Sequence, residues 1–145
     1  MVATSHGWFY WAALSAAFAA LTAIFAKVGV QGVDSDLATL LRTLFIVAVL
    51  AAFVALTGRW TDPRALPPRT LVFLALSALA TGASWVCYFR ALQVGEASRV
   101  APVDKFSVVL VAIFAFVFLG ERPAARDWLG IGLVAAGVVL LALRR

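Results

Sequence analysis

Five segments of this chain read as bilayer-crossing helices, and they restrict the fold more than any other feature. They are Trp8–Ala26, Leu37–Thr57, Leu71–Leu92, roughly Val100–Leu119, and Trp128–Leu143. A helix needs about 20 apolar residues to cross a hydrocarbon layer about 30 Å thick. None of the five alternates polar and apolar residues, as barrel strands would. The connections GVQGVDSD, GRWTDPRALPPR, QVGEASR and GERPAARD carry the breakers. The 145 residues are 64% hydrophobic and only 13% charged, with a mean hydropathy of +1.02. A soluble domain would carry roughly a quarter of its residues charged. Lipid is therefore the solvent for most of this surface. The expected fold is an all-α membrane protein, a five-helix bundle forming one domain over residues 1–145.

Several function classes fall away. The first run has no basic region before it and is about twice the usual length of a signal-peptide core, so it reads as a span. Cys87, the only cysteine, lies inside the third run and reads as small packing filler. The net charge of +5 comes from scattered Lys and Arg, with no basic patch for nucleic acid. His6 is the only histidine. Neither a metal cluster nor a phosphate loop nor a serine-nucleophile pattern is present, so no enzyme activity and no cofactor are expected.

Five spans place the termini on opposite sides. One side takes Arg59, Arg64, Arg69, Arg122 and Arg126; the other takes Lys27, Arg99, Arg144 and Arg145. Orientation follows the Lys/Arg excess on the cytoplasmic side. Here its sign depends on whether Arg42, Arg90 and Lys105, just inside the spans, are added to the second group. Such a weak bias suits a protein inserted both ways round.

Phe106 to Leu119 would make only about 21 Å of helix, so the fourth helix must begin near Val100 and carry Asp104 and Lys105 into the membrane. Pro102 suits its first turn, where a missing N–H costs nothing, and Asp104 would face the positive end of the helix dipole. Adjacent helical residues point about 100° apart, so Asp104 and Lys105 are poor partners for each other. The topology brings Lys27, Arg42, Arg90, Asp104 and Lys105 to one side. Charges in a span face a bundle interior or a wet cavity, which makes this group either a helix-locking cluster or a net positive vestibule. On the third helix, Ser77, Thr81, Ser84 and Tyr88 recur at spacings of four, three and four, beside Trp85. That stripe either packs helices or lines a pathway, with Trp85 and Tyr88 as an aromatic platform. Gly130 and Gly137 share a face of the fifth helix and allow close approach of another helix, within the chain or in a dimer.

The second half, YFRALQVGEASRVAPVDKFSVVLVAIFAFVFLGERPAARDWLGIGLVAAGVVLL, resembles the EamA domain of the drug/metabolite transporter superfamily. The matching marks are Arg90-Ala91-Leu92, Pro102, Leu119-Gly120-Glu121, the Gly130/Gly137 pair, and Arg42 in the second helix. The PVDKFSVV segment looks like that of the stand-alone, single-domain members. Most relatives carry two such domains in inverted orientation, so the resemblance implies half a ten-helix transporter. A homodimer, for which an antiparallel arrangement suits the charge counts, would rebuild the inverted repeat around a site near the midplane.

The resemblance implies a secondary carrier of a small-molecule solute in a prokaryotic cytoplasmic membrane, with the lipid bilayer as its surroundings. A non-transporting scaffold or partner subunit, and a passive channel or lipid-carrier flippase, are the alternatives. The four-helix multidrug exporters of the superfamily use a glutamate in helix one. The first helix here has no acid, and Asp104 is the obvious candidate for proton coupling, ahead of Glu121, for which a structural pairing with Arg122 or Arg126 at a helix end suffices. The balanced charge counts predict that a reporter fused to the C-terminus appears on both faces of the membrane. A reporter confined to one face would rule out the antiparallel arrangement.

Overall fold

The computed structural model describes residues 7–143, which leaves His6, Arg144 and Arg145 outside the described residues. The helices are α1 (Gly7–Gly29), α2 (Ser35–Leu56), α3 (Pro68–Val94), α4 (Ala97–Asp104), α5 (Ser107–Phe114) and α6 (Ala125–Leu143). A short 3₁₀ turn, Pro63–Ala65, precedes α3, and a π-helical turn, Ala115–Leu119, completes α5. No strand occurs among the described residues. Among the described residues five stretches are long and apolar enough to span a bilayer, the fourth being Ala97–Leu119. Their large apolar side chains lie mostly exposed, Trp11 at 75% and Leu79 at 71%. Water would not tolerate that surface, whereas lipid tails accept it. The chain is a multi-pass integral membrane protein.

Three helices start a few residues earlier than hydropathy suggests, because the polar turns that cap them are invisible to it. Asp34 Oδ1 accepts from the N–H groups of Asp36 and Leu37 at 2.9 and 3.0 Å, so α2 begins at Ser35. Pro68 opens α3 with its missing N–H at a position that needs none. In α6, Asp127 reaches back to accept from Ala124 N–H at 2.8 Å, fixing a start at Ala125. At the far end of the fourth span, Gly120 takes φ +69°, a left-handed conformation that ends the π-helical turn without a Cβ penalty.

The fourth span departs from the expected continuous helix. It starts at Ala97, so Pro102 lies inside α4 rather than in a first turn and withholds the bond that Ser98 C=O would receive. The helix breaks at Lys105 and Phe106. There the bonds run Lys105 N–H to Pro102 O, Phe106 N–H to Val103 O, Val108 N–H to Lys105 O and Val109 N–H to Phe106 O, each at 3.0 Å. Each spans three residues instead of four, the tighter 3₁₀ pattern. Asp104 consequently ends α4, at the negative end of a helix dipole, and Lys105 is the residue placed to offset it.

The chain forms two compact units, one ending at Val94 and one beginning at Gly95. In the first, burial is concentrated at the C-terminal ends of α1 and α3 and the N-terminal end of α2. Leu92 (0% exposed), Val30 (1%) and Phe89 (3%) are its centre, with Ala23, Ala26, Ser35 and Thr39 around them. The buried hydroxyl of Thr39 donates to Ser35 O and the half-buried one of Thr43 to Thr39 O, both at 2.8 Å. Within α2 they thereby avoid the cost of a bare hydroxyl. Polar clips close the same end. Lys27 Nζ donates to Leu92 O at 2.6 Å, satisfying a carbonyl of the last turn of α3. Gln93 Nε2 donates to Val33 O at 3.0 Å.

In the second unit Ala115 and Val138 are buried, and Phe116 meets Trp128 edge-on with ring centroids 6.4 Å apart. Leu92→Ala should empty the centre of the first unit and lower stability by about 2–3 kcal/mol. Leu79→Ala, on a lipid-facing turn, should change little. Melting of the two variants in one detergent checks the contrast, and equal losses would contradict this location of the core.

Candidate functional site

The charged residues expected on one side of the bundle do not act as one cluster of equals. Arg90, in the last turns of α3, meets Asp36 in the first turn of α2. Arg90 Nε donates to Asp36 Oδ1 at 3.0 Å and Nη2 to Oδ2 at 2.6 Å, the bidentate geometry that a guanidinium offers a carboxylate. Asp36 was not among the residues the sequence singled out. Its only signal was the acidic DSD run that opens α2. Arg90, expected to add to a positive vestibule, is neutralised by Asp36.

Asp104 and Lys105 belong to the second unit and touch each other, Lys105 Nζ lying 3.4 Å from Asp104 Oδ2. This corrects the expectation that they are poor partners. The 100° rotation applies inside a regular helix, and α4 ends between them. With Lys105 in the turn that follows, its long stem can fold back. Both side chains retain substantial exposure, and the contact is loose.

Arg42 is different. One turn after Thr39 on α2, its guanidinium stacks over the ring of Trp85, Cζ lying 4.2 Å from the centroid, and stands 5.5 Å from the ring of Phe89. Trp85 and Phe89 are four residues apart and project from one face of α3, with Leu92 continuing the row. The packing face of α3 is therefore Trp85–Phe89–Leu92, about 100° round from the polar stripe. Phe89 and Leu92 were missed in the sequence, although their i, i+4, i+7 spacing from Trp85 was there to be read. Arg42 is half-buried; its Nη1 atom is fully buried and makes no hydrogen bond among the described residues. Stacking on the indole face supplies a cation–π attraction. It uses none of the in-plane N–H donors.

The polar stripe faces outward from the chain. Ser77, Thr81 and Ser84 are exposed, Thr81 Oγ1 donating to Ser77 O at 2.8 Å, and Tyr88 is half-buried with its ring 6.5 Å from that of Phe89. On α6, a Cβ added at Gly130 or Gly137 would meet nothing within 4 Å. Close packing within the chain, one of the two uses expected for these glycines, does not occur among the described residues.

The sequence matches the EamA-like transporter family over residues 6–143. The chain belongs to that family. An uncharacterized transporter in the cobO 3′ region of a Sinorhizobium species is 60% identical over 139 residues, covering 96% of this chain and 99% of that protein. A probable 4-amino-4-deoxy-L-arabinose-phosphoundecaprenol flippase subunit, ArnE, of Yersinia pestis is 32% identical over 83 residues, covering 57% of this chain and 73% of the subunit. No solved structure matches the chain. An EamA-like chain with relatives named as transporters is a membrane transporter.

An exposed ion pair contributes at most about 1 kcal/mol. Asp104→Asn is therefore expected to melt within about 2–4 °C of wild type. A much larger fall would show that Asp104 holds the fold together. An intact fold combined with lost solute uptake would place it in the transport step.

Proposed function

We propose that this protein is a secondary carrier of a small metabolite or drug-like solute, acting as one EamA-like domain in a homodimer of the bacterial cytoplasmic membrane. The pathway is lined by Arg42, Arg90, Thr81, Ser84, Trp85 and Tyr88, together with Asp104 and Lys105. Gly130 and Gly137 form the contact with the second copy.

The observation that carries this reading is the hydroxyl row Ser77, Thr81 and Ser84, exposed along a membrane-spanning helix. Thr81 is satisfied within its own helix by Ser77 O. Hydrocarbon offers the Ser77 and Ser84 hydroxyls no partner, which favours a face covered by another chain or wetted by a pathway. The open glycine face of α6 supports a second copy, since small residues let backbones approach and gain van der Waals contact. The balanced charge counts suit an antiparallel pair, which would reconstitute an inverted repeat. A second reading has support from the ArnE relative, whose name makes it a flippase subunit: the chain would then pair with a different protein and move a lipid-linked solute.

Gly130→Leu and Gly137→Leu are expected to reduce crosslinked dimer in liposomes several-fold while leaving the monomer folded. Uptake by proteoliposomes of the purified chain alone should be saturable and fall in parallel. Unchanged crosslinking would remove α6 from the interface. Flux appearing only when a second protein is co-reconstituted would favour the subunit reading.

A further inference from the structure

The first unit contains three acidic residues, Asp34, Asp36 and Asp62, and each is already engaged. Asp34 caps α2 through the N–H groups of Asp36 and Leu37. Asp36 gives both oxygens to Arg90. Asp62 accepts from Arg64 N–H at 2.9 Å. Arg42 has the Trp85 and Phe89 rings and the electrostatic influence of Tyr88 but no carboxylate, and no ion pair to it forms among the described residues. Its Nη1 is buried without an acceptor.

A buried donor lacking its partner is costly, and on a half-buried cation without a counter-ion the partly desolvated charge adds to that cost. A carbonyl would satisfy the donor but leave the charge. Only an anion satisfies both, and the planar fork of a guanidinium matches the oxygens of a carboxylate or phosphate. The Trp85 and Phe89 rings hold the fork in place without consuming its donors, which is the preorganisation a binding group needs.

We infer that Arg42, held by Trp85 and Phe89, is the binding group of an oxyanion subsite that takes a carboxylate or phosphate of the ligand. The subsite narrows the carrier reading above to anionic solutes and rests on that reading for its role in transport. The same oxyanion chemistry could be offered by a dissolved solute or by the headgroup of an anionic lipid.

The test uses the full chain in nanodiscs of phosphatidylcholine, alone or with phosphatidylglycerol, titrated with acetate or inorganic phosphate against chloride at equal ionic strength. In phosphatidylcholine, acetate or phosphate should raise the melting temperature saturably, by about 3–5 °C at ten times the dissociation constant. Arg42→Gln should lose that increment and melt no lower than unliganded wild type, because it removes an uncompensated charge. General salting effects are common to both proteins and cancel in the comparison. A stabilisation that needs phosphatidylglycerol instead, and is lost in Arg42→Gln, identifies a lipid headgroup as the oxyanion.

No saturable shift in either bilayer, or the same shift in Arg42→Gln, overturns the proposal. Should Arg42→Gln fail to fold, Arg42→Lys keeps the charge without the fork. Its half-saturating concentration should rise about tenfold, and an unchanged value overturns the proposal. Uptake of labelled acetate or phosphate separates the two levels. A shift specific to Arg42 without flux supports the subsite and contradicts the carrier, whereas flux indifferent to Arg42→Gln supports the carrier and overturns the subsite.

Discussion

Hydrocarbon provides neither a hydrogen-bond partner nor a dielectric that screens charge, so each polar group of a spanning chain must be answered by the protein itself. That constraint explains where order is found in the first unit. The ends of α1 and α3 and the start of α2 come together where Lys27 answers the Leu92 carbonyl, Arg90 answers Asp36 and Gln93 answers Val33. The most completely buried apolar side chains, Leu92 and Val30, sit among these clips. Elsewhere the helices present apolar side chains that lipid tails contact as readily as protein does, so burial there brings little gain.

The same constraint marks what is left unanswered. The described chain leaves Arg42 Nη1 buried and unmatched, and the Ser77 and Ser84 hydroxyls of α3 exposed. Arg42 Nη1 has no acceptor among the described residues, and the row of Ser77, Thr81 and Ser84 is exposed, with Thr81 bonded within its own helix to Ser77 O. In a water-soluble protein these would be trivial, because water completes any surface. In a membrane such groups find no partner in hydrocarbon, which is why the proposed carrier and dimer are built on them. The broken fourth span adds a segment in which Pro102 and the three-residue bonds around Lys105 weaken the regular ladder. Helix pairs joined at such a point have fewer bonds to hold their relative angle.

Much of this was legible in the sequence, and the failures share one origin. The five apolar runs fixed the class and number of the spans, because the thickness of a bilayer demands that many apolar residues in succession. The side on which Lys27, Arg42 and Arg90 lie followed from counting spans. The pairing of charges did not follow. Asp36 takes Arg90, and Asp104 takes Lys105, because the rotation of α3 and the end of α4 bring those atoms together. Helix phase depends on packing against neighbours, and hydropathy carries no information about it when most faces of a helix are apolar. Trp85 shows the consequence. Its aromatic character was evident, but that one ring face is occupied by the Arg42 guanidinium is a fact of how α2 crosses α3.

The sequence alone therefore determined an all-helical, five-span membrane protein of the EamA-like family, since composition, run length and motif are properties of the chain itself. Only the tertiary structure decided that Asp36 neutralises Arg90, that Pro102 lies inside a helix that breaks at Lys105, and that Arg42 is stacked on Trp85 with a buried donor unmet. The reason is geometric: electrostatic and hydrogen-bond partners are chosen over distances of about 3–4 Å, and residues 54 positions apart in sequence reach that distance only once helices have packed.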